Sequence, residues 1–247
     1  MYLTTRGLVL RVSDYNDRDA LLTLLTPEHG RITVKARGLR RKNSPLTAPC
    51  QLLALGEFTL FEYRDSYSIN EAHSIELFQG LRKDIVKLAL GTYFAQVAEL
   101  LSMEDTPNPE LLSLTLNCLF ALSGLSAREN QVKAVFELRC ACLSGYTPDL
   151  FACYVCGNQY PDRFDVSNGA LSCASCRHQK NSGIRMPLSP SVLDAMRYIV
   201  SCEPKRLLGF EASEETLKQH SHNTELYLST QLERGFSALD FYKSLFL

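Results

Sequence analysis

Between residues 31 and 37 the chain alternates, with Ile32, Val34 and Ala36 in one phase and Thr33, Lys35 and Arg37 in the other. A period of two places these sets on opposite faces of a strand. Residues 3–12 and 20–26 are further short runs rich in Thr, Val, Ile and Leu, and Asp14-Tyr15-Asn16-Asp17 and Pro27-Glu28-His29-Gly30 divide the three runs as turns. A basic, turn-rich stretch over 38–49 reads as an exposed loop. Residues 57–63 and 67–74 then flank Arg64-Asp65-Ser66 as a hairpin. Five short strands without helix-length periodicity predict a small barrel, with the five-stranded OB-fold as the leading form.

Beyond residue 80 the period changes. Ile85, Leu88, Ala89, Tyr93 and Leu100 follow helical spacing in an apolar segment. Thr106-Pro107 predicts a second helix start, with proline at the first helical position. Ser126-Ala127-Arg128-Glu129 reads as a capping box for a third helix, which Gly145 and Pro148 end. Ser189-Pro190 opens another helix to about residue 201, and 214–235 holds a last one. The predicted class is α+β: an OB-fold barrel over 1–78, then a helical domain over 79–247 with an insert at about 150–182.

On the 128–145 helix, Val132, Val135, Phe136, Cys142 and Leu143 share a face with Arg139 at its centre. A buried guanidinium without a partner is prohibitive. The favoured reading is an ion pair with a core-facing carboxylate; the sharper one is an anion site beside an apolar groove.

Nine cysteines, an odd number, with no signal-peptide pattern at the N-terminus fit a reducing compartment. Four of them form Cys153-x2-Cys156 and Cys173-x2-Cys176, with sixteen residues between the pairs. Two thiolates three apart on a tight turn can face one ion, and a second such turn completes a tetrahedron. Gly157 supplies the positive φ that such a turn needs, and Asn168-Gly169 suggests a hairpin before the second pair. The expected cofactor is structural Zn2+, with all four positions occupied by thiolate and none open to a catalytic water. Arg163, Arg177, His178 and Lys180 lie near this motif as phosphate contacts or solubilising charge. The other cysteines (50, 118, 140, 142 and 202) read as packing residues.

A hydrophobic content of 45% with 21% charged residues excludes global disorder, and no apolar run is long enough for a membrane span. The net charge is −1, but it is uneven. Residues 1–45 carry nine basic and four acidic side chains, an excess of +5, and the remainder is −6. Such asymmetry points to a polyanion at one end. P-loop, G-x-S-x-G and H-E-x-x-H motifs are missing, so the positive features indicate binding rather than catalysis. His220-x-His222 has the wrong helical spacing for shared ligation and reads as an exposed polar face.

In order along the chain stand Gly7-Leu8-Val9-Leu10 with Arg11, Tyr15-Asn16-Asp17-Arg18-Asp19, and the run Leu22 to Gly30. Lys35-Ala36-Arg37-Gly38-Leu39-Arg40-Arg41 follows, then Gly145-Tyr146-Thr147-Pro148-Asp149-Leu150 leading into Cys153-x2-Cys156-Gly157, and the tail from Phe241 to Leu247. This ordered combination resembles the RecO family of bacterial recombination mediators over nearly the whole chain. Asn16-Asp17 departs from the Glu-x-Asp that relatives often show, and some members lack the four cysteines.

The resemblance implies a non-enzymatic, cytoplasmic protein, nucleoid-associated during repair. It would bind single- and double-stranded DNA, anneal complementary strands, and act with RecR and single-stranded DNA-binding protein to load RecA. On an OB barrel, the candidates for phosphate contact are Arg11, Arg18, Lys35, Arg37, Arg40, Arg41 and Lys42. Tyr15, Phe61, Tyr63 and Tyr67 are possible stacking residues, with core packing the favoured role. Lys133 and Arg139 are weak candidates for a partner's acidic, apolar tail. The alternatives are a nucleic-acid-processing enzyme with a structural zinc site, or a zinc-containing interaction adaptor.

Overall fold

The computed structural model describes residues 1–64, 66–124, 128–176 and 183–246. They fall into two compact units, Met1–Ala127 with Phe236–Leu247, and Arg128–Gly235.

The first unit opens with five strands: β1 (Tyr2–Asp14), β2 (Ala20–Thr26), β3 (Gly30–Ala36), β4 (Leu55–Tyr63) and β5 (Ser66–Glu76). They close into a barrel in the order β1-β2-β3-β5-β4. The alternation seen in the sequence becomes an inside and an outside: Val9, Leu22, Leu24, Ile32, Val34, Phe58, Leu60 and Ile69 fill the barrel. β1 is long because it serves two partners. Tyr2 to Leu8 pair with β4, and Leu8 to Asp14 pair with β2. A bulge between Val9 and Arg11 bends the strand between these roles, and there Val9 exchanges backbone hydrogen bonds with Leu53 and Ala54. Closure comes from a short parallel contact, Val34 with Tyr67 and Lys35 with Ser68, so one of the barrel's pairings is not antiparallel.

Four helices complete this unit: α1 (Gln79–Arg82), α2 (Ile85–Leu101), α3 (Pro109–Ser123) and, from the chain's end, a helix over Ser237–Ser244. Asp84 caps α2 by accepting from the N–H groups of Val86 and Lys87. The second helix starts later than Thr106-Pro107 suggested. Asn108 is its cap, accepting from Leu111 N–H, and Pro109 takes the first position. Gly30 lies at φ 59°, and a Cβ there would sit 2.0 Å from the Thr106 carbonyl oxygen, so only glycine fits this turn.

The second unit holds α4 (Glu129–Leu143), strands β6 (Asp149–Cys153), β7 (Arg163–Asp165), β8 (Ala170–Ser172) and β9 (Arg185–Pro187), then α5 (Pro190–Ser201) and α6 (Glu214–Leu232). The helix of the chain's end is α7. The strands form a small sheet in the order β6-β8-β7-β9. Ser126 and Ala127 of the expected capping box lie outside the described residues; α4 begins at Glu129, and Arg128 at its cap position makes no side-chain cap bond. α4 is buried from Gln131 to Leu138, and it packs on α5 and α6. α6 is tied to the sheet: Tyr227 packs its ring on Phe164, and Gln231 donates to the Val166 carbonyl. The 214–235 segment ends earlier than expected, at Leu232, where Glu233 adopts φ 50°.

Candidate nucleic-acid interface and metal centre

The two Cys-x2-Cys turns meet beside the small sheet. Cys153 ends β6 and Cys173 follows β8, whose strands are parallel neighbours, so the ladder brings the pairs together. Each pair is wound on a tight turn: Gly157 N–H donates to the Cys153 carbonyl at 2.9 Å, and Cys176 N–H to that of Cys173 at 3.1 Å. Gly157 has φ 71°, as its place after the first knuckle requires. Cys153 Sγ lies 3.9 Å from Cys176 Sγ, Cys156 Sγ lies 3.8 Å from Cys173 Sγ, and all four are within 4.8 Å of one another. A tetrahedron with metal–thiolate bonds of about 2.3 Å has edges of about 3.8 Å, whereas a disulfide would need about 2.05 Å. The four sulfurs therefore fit one metal ion and no disulfide pairing. Asn158 Nδ2 donates to Cys173 Sγ at 3.3 Å. Burial opposes ionisation of Cys153, but the N–H groups of Cys156, Val155 and Cys173 outweigh it and bring its pKa down to about 6. Arg163 lies on β7, while Arg177, His178 and Lys180 are outside the described residues.

The basic residues gather at one end of the barrel. Ala20 of β2 pairs with Ala36 of β3, so the turn before β2 and the loop after β3 leave the barrel side by side. Asn16 Oδ1 accepts from the N–H groups of Arg18 and Asp19 and shapes the first turn. Two bonds then join the loops: Gly38 N–H donates to Asp19 Oδ1 at 2.9 Å, and Arg40 N–H to the Arg18 carbonyl at 3.1 Å. The Gly38 bond, the Asn16 side chain and Lys35 hold the Asp19 carboxyl below its ordinary pKa. Asp17 and Asp19 thus belong to a turn that presents Arg18, which accounts for acidic residues within a basic segment.

The seven cationic candidates are not equivalent. Arg11 pairs with Glu99 at 3.0 Å, Lys35 with Asp19 at 3.4 Å, and Arg40 with Asp14 at 3.1 Å. Arg18, Arg37, Arg41 and Lys42 are exposed and form no ion pair among the described residues. The aromatic side chains correct the favoured core reading. Tyr15, Phe61 and Tyr63 are 54%, 41% and 59% exposed, and only Tyr67 packs partly against the barrel core. Phe61 and Tyr63 point outward because Phe58 and Leu60 take the inward phase of β4. Tyr15 lies against Lys35, whose Nζ is 4.3 Å from the ring centre.

Lys133 is not a surface contact. It is 2% exposed, and its Nζ bonds Glu137 at 2.9 Å and Glu225 at 2.8 Å, with Ser221 completing the cage. Arg139 forms no ion pair among the described residues, against the favoured reading; it donates to the Ile199 and Val200 carbonyls at the end of α5, where the helix dipole is negative. His220 is also buried rather than on an exposed face, while His222 is exposed. Burial and the Lys133 charge push the His220 pKa down to about 4, so its ring is neutral at pH 7. Sequence reasoning passed over Tyr2 and Arg64, whose roles depend on what the barrel places beside them.

A closed five-stranded OB barrel with a basic end, followed by a helical unit carrying a four-thiol knuckle, defines a class of barrel-and-knuckle protein rather than a single one. Comparison with known families makes this specific. The family model described as Recombination protein O N terminal matches residues 1–78, and that described as Recombination protein O C terminal matches residues 82–240. The DNA repair protein RecO of Acetivibrio thermocellus is 31% identical over 99% of this chain and 97% of its own. That of Bacillus subtilis is 27% identical over 92% of this chain and 88% of its own, and that of Symbiobacterium thermophilum 26% over 97% and 96%. The chain belongs to the RecO family of DNA repair proteins. Among the described residues no helix is long and apolar enough to cross a membrane.

Proposed function

We propose that this protein is a DNA repair and recombination mediator of the bacterial cytoplasm, associated with the nucleoid during repair. It binds single- and double-stranded DNA at the basic end of the barrel and promotes annealing of complementary strands. With RecR, it helps load RecA onto DNA covered by single-stranded DNA-binding protein. The observation that carries this reading is the pair of joined loops that expose Arg18, Arg37, Arg41 and Lys42 without carboxylate partners among the described residues. OB barrels bind oligonucleotides with their β2–β3 face and the loops between β1 and β2 and between β4 and β5; the turn that carries Arg18 is the first of these, and the loop after β3 is joined to it. The metal is zinc, held by Cys153, Cys156, Cys173 and Cys176 in a closed, structural site. The protein works by binding, without covalent chemistry on DNA.

A strand-annealing assay on complementary oligonucleotides, with and without single-stranded DNA-binding protein, tests this. Faster duplex formation is expected in both cases, with the oligonucleotides intact after incubation in Mg2+. Cleavage would favour a processing enzyme, and absence of DNA binding would favour an adaptor.

A further inference from the structure

A patch of exposed aromatic rings lies on the outer face of the barrel, apart from the four unpaired cations of the loops. Tyr2 of β1 and Phe61 of β4 are register partners whose rings pack with centroids 5.3 Å apart, yet Tyr2 remains 62% exposed. Tyr63, next outward along β4, is covered on one side by the Arg64 guanidinium, 5.1 Å from its ring centre. The amino terminus of Met1 lies beside them, held on the Glu62 carbonyl. The patch therefore combines open π faces with two cations. Glu62 stands between Phe61 and Tyr63 in the opposite phase of β4, and the next acidic residues along the strands are Glu71 opposite Thr59 and Glu57.

The patch is continuous with the basic end. Tyr2 pairs with Phe61, Phe61 with Ser68, and Ser68 with Lys35, which carries Tyr15 against it. One row of register partners thus runs round the barrel from the aromatic rings to the cationic loops. With strands about 4.8 Å apart, the row covers roughly 14 Å, room for two or three nucleotides.

We propose that Tyr2, Phe61 and Tyr63 form a stacking platform for unpaired bases, which single-stranded DNA reaches after its phosphates engage the basic loops. This rests on the reading of those loops as the DNA surface and adds to it a selectivity for single strands. A duplex keeps its bases stacked on one another and has none to offer an aromatic ring, whereas each unpaired base presents a π face.

The test compares full-length variants by fluorescence anisotropy on oligo(dT) and on a duplex of equal length at the same salt. Phe61→Ala with Tyr63→Ala should weaken oligo(dT) binding about ten- to hundredfold and leave duplex binding within about twofold. Equal loss on both, or no loss on oligo(dT), overturns the platform. Arg37→Glu with Arg41→Glu separates the two readings, because failure of that pair to weaken either ligand refutes the loop assignment itself. The chain contains no tryptophan, so Tyr63→Trp introduces a single reporter that need not perturb folding. Oligo(dT) at saturation should quench its emission and the duplex should not. Unchanged emission with oligo(dT) bound overturns the proposal and leaves the face to a protein partner.

Discussion

Lys133 illustrates how a residue's neighbours decide its role. Its cation lies between Glu137 and Glu225, with Glu137 fully buried and accepting from Thr224 as well. Burial raises the Glu137 pKa and the Lys133 charge opposes that rise. Lys133→Ala would leave the Glu137 carboxylate buried beside an empty site, and stability should fall by about 3–5 kcal/mol in urea unfolding. Lys133→Met with Glu137→Leu and Glu225→Gln removes all three charges and should recover most of the loss, as replacing a buried charged cluster with neutral groups often does. The i,i+4 spacing of Lys133 and Glu137 was visible in the sequence, but their burial was not. It follows from Glu225 and Ser221 on α6, about 90 positions away along the chain, which close over them. Arg139 shows the same limit: helical periodicity placed it correctly on a packed face, while its partners, the carbonyls ending α5, carry no side-chain signature.

Among the elements, the four-cysteine knuckle was the most legible and the helix ends the least. The Cys-x2-Cys turns are local, so spacing alone marked the four cysteines as a candidate metal site, and the structure brought their sulfurs together by setting β6 beside β8. Elemental analysis of protein prepared without chelators should find about one zinc per chain. Stripping the metal, or Cys173→Ser, should lower the thermal midpoint, because the thiols then take up protons or lose a ligand and nothing ties the two turns together. Folded protein prepared in that way without metal would refute the site. The Asn168-Gly169 hairpin read from the sequence joins β7 to β8, but β9 was not read, since three residues are too few to show a period. α7 was missed for a related reason: at eight residues, it is stabilised by packing on α2 more than by its own propensity.

At the scale of the whole molecule, a net charge of −1 conceals a basic barrel end. If the two joined loops contact phosphate, DNA affinity should fall steeply with salt, and log K should be linear in log[salt]. Charge reversal at Arg37, Arg41 and Lys42, the unpaired cations of the loop after β3, should flatten that slope by about two on single strands, since each phosphate contact contributes about 0.7. A slope identical to that of the unaltered protein would place the DNA elsewhere. The sequence by itself determined the strands of the barrel, the metal knuckle and the basic loops, because alternation, ligand spacing and charge excess are properties of contiguous chain. Only the tertiary structure decided which of those groups face outward unpaired. Arg11 is neutralised by Glu99, Lys133 is enclosed by Glu225, and Tyr2 is set against Phe61 by pairings between distant segments. Burial and charge pairing depend on what folding brings together, so one stretch of chain could not reveal them.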